Sequence, residues 1–181
     1  MKYISLNDLS NTIRKNLYKI PRDIDFIIGV PRSGMISASI ISSYLNVPLI
    51  DVNSFLDGKE PWGGLRLRYF MTSHKKTNKV LVIDDTVANG TAMTKTKNQL
   101  SKVEGYKFIY MCVYLEGRGE NAIDFYLEDL RKYSENFTRE IMYEWNIFQH
   151  SEGVMERCLY DIDWVLCVEP LDERNENYYI N

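Results

Sequence analysis

The sequence predicts an α/β protein with a mainly parallel sheet flanked by helices. Short, uniformly apolar runs such as Val80-Leu81-Val82-Ile83 have the look of buried parallel strands, and they alternate with stretches of helical periodicity. The chain has 181 residues, 45% of them hydrophobic and 26% charged, with 13 Tyr and 7 Phe, which is enough apolar bulk for the core of one ordinary domain.

Residues 5–20 read as an amphipathic helix. Ser5 and Asp8 have capping-box spacing, Leu6, Leu9, Ile13 and Leu17 recur on one face, and Pro21 stops the run. Phe26 to Val30 is the first buried strand, broken by Pro31-Arg32-Ser33-Gly34, after which Met35 to Leu45 reads as a helix. Val47 to Val52 is a second strand. Residues 53–78, with Gly58, Pro61, Gly63 and Gly64, read as a long polar excursion of the kind that is usually functional. Val80–Ile83 is the third strand, with Asp84-Asp85 expected directly after it. A small-residue loop follows, then a helix from Thr91 to Val103 with Met93, Leu100 and Val103 inward, and a strand from Tyr106 to Leu115.

Composition narrows the function. Three Cys and two His lack paired metal-ligand spacing, which argues against zinc sites and a disulfide framework. His74 and His150 read as solvated or structural. No apolar run approaches the roughly 20 residues of a membrane span, and Met1-Lys2-Tyr3-Ile4-Ser5-Leu6 has no signal-peptide core, so a cytoplasmic location is expected. Residues 151–181 carry eight acidic and two basic side chains, against 17 acidic and 20 basic in the rest. The weakly basic body suits an anionic small substrate and gives no case for nucleic acid. The boundary is expected near residue 150, with 1–150 as one domain and 151–181 as an acidic extension.

Ligands of open α/β sheets bind beyond the carboxyl ends of the strands. Two such loops are unusual here: Pro31-Arg32-Ser33-Gly34, and the stretch from Asp84 to Ala92. The second sets small residues and Gly90 before a helix, where free backbone N–H groups and the helix dipole favour phosphate. Asp84 and Asp85 suit ribose hydroxyls or a metal, and a helix-capping pair is the plainer alternative.

Taken in order, Val80 to Ala92 resembles the thirteen-residue signature of type I phosphoribosyltransferases, and the loop 31–34 resembles the pyrophosphate loop of the same family. The resemblance implies that fold, with phosphoribosyl pyrophosphate (PRPP) and Mg²⁺ as ligands. It implies that Pro31, Arg32, Ser33 and Gly34 hold pyrophosphate, Asp84 and Asp85 the ribose, and Ala88, Asn89, Gly90, Thr91 and Ala92 the 5-phosphate. Mg²⁺ would be met by Asp84 and Asp85 indirectly, through ribose or water. Arg32, Asp84 and Asp85 are the expected catalytic groups, and Arg66 and Arg68, two apart, could both aim at pyrophosphate. Gly90 is expected to admit the phosphate, so Gly90→Val should abolish binding without loss of stability. Trp62, between Pro61 and Gly63, is a candidate cover for the substrate.

Departures from the family pattern bear on the acceptor. Ala88 stands where the oxopurine enzymes carry an Asp base, and residues 62–68 lack the Lys and His-Gly of orotate enzymes. Tyr143–Phe148 followed by Leu159–Cys167 resembles the join in bacterial fusions of a phosphoribosyltransferase to a haloacid-dehalogenase-type phosphatase. Asp161 and Asp163 match that phosphatase's Asp-x-Asp, but Trp164 replaces the following Gly and the later motifs do not follow, so the expected reading is a vestigial motif in a packing segment. Such fusions resemble enzymes of surface-polysaccharide ribofuranosylation, which implies a sugar hydroxyl as acceptor and a small molecule or glycan as partner. An orotate-like nucleobase transferase and a non-catalytic PRPP-binding regulator are the alternatives; a homodimer is compatible with each.

Overall fold

The computed structural model describes residues 2–64, 75–133 and 141–149. Five parallel strands form the main sheet: β2 (Phe26–Gly29), β3 (Leu49–Asp51), β4 (Lys79–Val87), β5 (Lys107–Leu115) and β6 (Phe125–Asp129), in the order β3-β2-β4-β5-β6. Alternation along the strands supplies both faces with apolar side chains. Ile27, Leu81, Ile83, Met111 and Val113 face one core with Leu9 and Ile13 of α1 (Leu6–Lys15) and Ala38 and Ile41 of α2 (Gly34–Leu45). Phe26, Ile28, Val80, Val82 and Cys112 face the other, with Val52 of α3 (Val52–Leu56) and Met93 and Leu100 of α4 (Thr91–Leu100). The expected parallel sheet with helices on both faces is therefore present.

Boundaries differ from the sequence reading for local reasons. Ser5 does cap α1, accepting from the Asp8 N–H at 3.1 Å while the Ser5 N–H donates to Asp8 Oδ2 at 3.0 Å. The helix closes at Lys15, and a separate 3-10 turn, Leu17–Lys19, completes the stretch expected as one helix; Leu6 is exposed. The second strand shortens to Leu49–Asp51 because Asp51 caps α3, taking Val52 into that helix and beginning the expected excursion with regular structure. Helix α4 ends at Leu100, and Val103 lies beyond it, half-buried.

The largest correction is at β4. Asp84 and Asp85 do not follow the strand: pairing continues through Val87, with Asp84 opposite Cys112 and Val87 opposite Leu115. Apolar character marks where a strand is covered on both faces, whereas backbone pairing goes on as long as the neighbour does.

A second, two-stranded parallel sheet joins β1 (Lys2–Ile4) to β7 (Ile141–Tyr143), with Ile4, Ile141 and Tyr143 buried in the first core. The Leu6 N–H donates to Glu144 Oε2 at 2.6 Å, so the start of the chain fixes the segment after β7. That segment is a 3-10 turn, Glu144–Gln149. Among the described residues, no helix is long and apolar enough to cross a membrane.

Two buried tyrosines make contrasting predictions. The Tyr114 hydroxyl shares a 3.2 Å hydrogen bond with Thr12 Oγ1, and burial pushes its phenol up to about 12. The folded chain thus keeps this proton more tightly than the unfolded chain. Its contribution is full below pH ~10 and lost as pH rises toward about 12; Tyr114→Phe should flatten that alkaline decline in denaturation midpoint. The Tyr143 hydroxyl is buried without a hydrogen-bond partner among the described residues. Tyr143→Phe removes an unsatisfied group and should leave the midpoint unchanged or raise it.

Candidate functional site

Strands β2 and β4 are neighbours, yet the chain leaves them in opposite directions, from β2 outward to β3 and from β4 outward to β5. That reversal opens a crevice between their carboxyl ends, the usual ligand position in such sheets. Residues 30–33 run from β2 into α2, and residues 88–90 run from β4 into α4. Both helices therefore direct their amino-terminal N–H groups to the same end of the sheet.

The two strand ends interlock. The Val30 N–H donates to Ile83 O at 2.9 Å, extending the β2–β4 ladder into the first loop. Gly34, the first residue of α2, lies so close to β4 that a Cβ would stand 2.9 Å from both Asp84 Oδ1 and Ile83 O. Only glycine allows α2 to begin against the acidic pair. The Pro31–Arg32 peptide is cis, and Arg32 is exposed.

Both carboxylates are buried, at 7% exposure for Asp84 and 2% for Asp85. Successive strand positions point to opposite faces, so the pair straddles the sheet. Asp84 Oδ1 accepts from the Asp85 N–H at 2.9 Å. Burial, and then the neighbouring Asp85 charge, pushes the Asp84 carboxyl well above the usual carboxylate range. Such a pair calls for ligand hydrogen bonds or a cation to be comfortable in its ionised form.

The loop 88–90 is braced from behind. Asn89 Oδ1 accepts from the Thr91 N–H at 3.0 Å, and Ala88, Asn89, Thr91 and Ala92 are exposed. Gly90 has φ +79°, and a Cβ there would meet Ala122 Cβ at 2.8 Å. Gly119 in turn sits where a Cβ would be 2.5 Å from the Gly90 nitrogen, and its N–H donates to Ala88 O at 2.9 Å. The glycine at position 90 thus serves its turn and the loop behind it, which corrects the expectation that its replacement would spare stability.

Two residues that the sequence reading assigned to a domain join belong to this site. The Trp145 indole N–H donates to Asp85 Oδ2 at 2.6 Å, and Arg32 Nη2 donates to Asn146 Oδ1. Trp145 packs against Tyr143 with ring centroids 5.1 Å apart and planes tilted by 42°, and Tyr143 against Tyr114 at 6.0 Å and 37°. Their nearness to Asp85 and Arg32 depends on β7 pairing with β1, a contact between distant parts of the chain that leaves no local motif.

The Trp62 backbone pairs with Leu49 of β3 in an isolated antiparallel bridge, and the residue is 78% exposed. Arg66, Arg68, His74, His150, Asp161 and Asp163 lie outside the described residues.

The family described as phosphoribosyl transferase domain matches residues 3–147. The chain belongs to the phosphoribosyltransferase family. It is 30% identical over 107 residues to a xanthine-guanine phosphoribosyltransferase of Idiomarina loihiensis, covering 58% of this chain and 63% of that relative. Among solved structures, the purine phosphoribosyltransferase of Pyrococcus horikoshii aligns with a TM-score of 0.54 at 21% identity, covering 80% of this chain and 92% of that one. The xanthine-guanine-hypoxanthine phosphoribosyltransferase of Helicobacter pylori gives 0.53 at 17%, over 82% and 95%. These structural likenesses establish the type I phosphoribosyltransferase fold.

Packing at the interlock sets two expectations for stability. Gly34→Ala should lower the unfolding free energy by about 1–3 kcal/mol, as overpacking against backbone does. Gly90→Val should also lower it, because the new side chain meets Ala122 and φ is positive. Urea denaturation measures both, and a wild-type midpoint for either variant would contradict this packing.

Proposed function

We propose that the chain transfers the 5-phosphoribosyl group of PRPP to an acceptor with release of pyrophosphate. The observation that carries this reading is the Gly34–Asp84 interlock, which sets the loop bearing Arg32 and the start of α2 against a buried acidic pair. In this reading Pro31, Arg32, Ser33 and Gly34 bind pyrophosphate, Asp84 and Asp85 accept from the ribose hydroxyls, and Ala88 to Ala92 surround the 5-phosphate. Arg66 and Arg68 are proposed as further pyrophosphate ligands.

The C1–O bond to pyrophosphate breaks, the bond from C1 to the acceptor forms, and the acceptor's proton departs. Negative charge grows on the leaving group and positive charge on the ribose ring. Fixed N–H groups and Arg32 stabilise the first, and the carboxylates the second. Among the described residues, no group of three or more His, Cys, Asp or Glu side chains is placed to hold a metal. Two adjacent carboxylates nevertheless fit Mg²⁺, which is commonly held by one or two carboxylates together with substrate phosphate and water. Asp84 and Asp85 would hold it through ribose or water, and when bound it would neutralise charge on pyrophosphate.

The proposed acceptor is a sugar hydroxyl in surface-polysaccharide synthesis. It is supported by Ala88, which offers the loop no side-chain base for a purine, and by the resemblance of residues 143–148 and 159–167 to the fusion enzymes. The division into 1–150 and an extension 151–181, with Asp161 and Asp163 as a vestigial phosphatase motif, belongs to the same proposal. A nucleobase acceptor is the second reading, favoured by the 30% identity to a xanthine-guanine enzyme.

Incubation with PRPP, Mg²⁺ and a panel of oligosaccharides and nucleobases, following pyrophosphate release, separates these readings. Release only with an oligosaccharide supports the first, and rapid nucleoside monophosphate formation supports the second. PRPP binding without turnover would mark a regulator. Asp84→Asn with Asp85→Asn should weaken PRPP binding by about a hundredfold or more, each charged acceptor contributing roughly 1.5–3 kcal/mol. Equal affinity by calorimetry would remove the carboxylates from the site.

A further inference from the structure

Two of the groups proposed to meet PRPP are already engaged by the chain itself. Asp85 is 2% exposed, with the Trp145 indole seated on Oδ2, and Arg32 is bonded to Asn146. One dipeptide thus reaches both the ribose-binding and the pyrophosphate-binding side of the crevice. Resting on the reading of Asp85 and Arg32 as PRPP ligands, we propose that Trp145-Asn146 is a latch that closes the ligand-free site and is released when PRPP binds.

Geometry argues for release rather than coexistence. A carboxylate has lone pairs for more than one donor, but a ribose hydroxyl must also reach it. At 2% exposure the carboxylate is closed to a hydroxyl, and the indole N–H occupies Oδ2. Asn146 presents its amide oxygen to Arg32, the kind of acceptor that a pyrophosphate oxygen would supply with full negative charge. A ligand that replaces the indole at Asp85 and exchanges a neutral amide oxygen for a charged phosphate oxygen at Arg32 displaces both latch contacts together.

The latch is held from outside the crevice, so it is poised rather than adrift. Trp145 packs against Tyr143, whose strand pairs with β1, and Glu144 is tied to the Leu6 N–H. Releasing the two side chains requires only the turn after β7 to move, with the sheet pair left intact. The closed population lowers the apparent affinity for PRPP by the fraction of molecules that are open.

The consequence is opposite in sign to that of losing a binding residue. Calorimetry on the full chain with PRPP and Mg²⁺ should show Trp145→Phe and Asn146→Ala each binding PRPP about fivefold or more tighter than wild type. PRPP should also change the tryptophan emission of wild type, and this change should be missing in Trp145→Phe. If wild type binds PRPP but both variants bind it equally or more weakly, the latch is overturned while the PRPP site stands. If wild type binds no PRPP, the reading beneath the proposal falls as well. Asn146→Ala carries the test alone should Trp145→Phe fold poorly, since it leaves the aromatic contacts intact.

Discussion

Helix α2 starts in direct contact with β4, and most of the candidate site depends on that contact. A Cβ at Gly34 would stand 2.9 Å from a carboxylate oxygen and from a backbone oxygen, so nothing larger can occupy the junction. The absence of that one carbon lets the loop after β2 lie against the acidic pair. Because β2 and β4 are adjacent and parallel, the contact also brings two helix amino termini to one end of the sheet. Helix amino-terminal N–H groups and buried carboxylates are thereby presented together.

A similar economy holds behind the second loop. Gly90, Gly119 and Ala122 pack without room for a branched side chain, and the Gly119 N–H ties the loop to the segment that follows β5. The loop's shape is thus set by the structure behind it and not only by its own sequence. Its exposed face, Ala88, Asn89, Thr91 and Ala92, remains open to a ligand. Rigid backing with an open front is what prepositioned electrostatic stabilisation requires.

The carboxyl-terminal side of the site is of a different kind. The turn after β7 enters the crevice with two polar side chains and finds partners for both in Asp85 and Arg32. Buried carboxylates are costly to leave unpaired, so a ligand-free site gains by satisfying them internally. Ligand binding then becomes an exchange of partners, and its strength depends on how firmly β1 and β7 hold that turn.

The sequence by itself determined four of the five strands of the main sheet, β6 being missed, and the places of the acidic pair and its loop. Apolar runs at 26–30, 80–83 and 106–115 mark buried strands because both faces must be covered, and Ser5 with Asp8 marks a helix start through purely local hydrogen bonds. The order of Asp84-Asp85, Gly90 and the helix after it carried the family for the same reason: neighbours in the chain remain neighbours at a strand end. Tertiary structure alone decided the rest. The extension of β4 through Val87 is set by β5, the role of Gly90 by Ala122, and the strands β1 and β7 are three residues each, too short to show a pattern. Trp145 and Asn146 reach Asp85 and Arg32 across separations of 60 and 114 residues. No periodicity or spacing encodes such contacts, since they exist only once the two ends of the domain have paired.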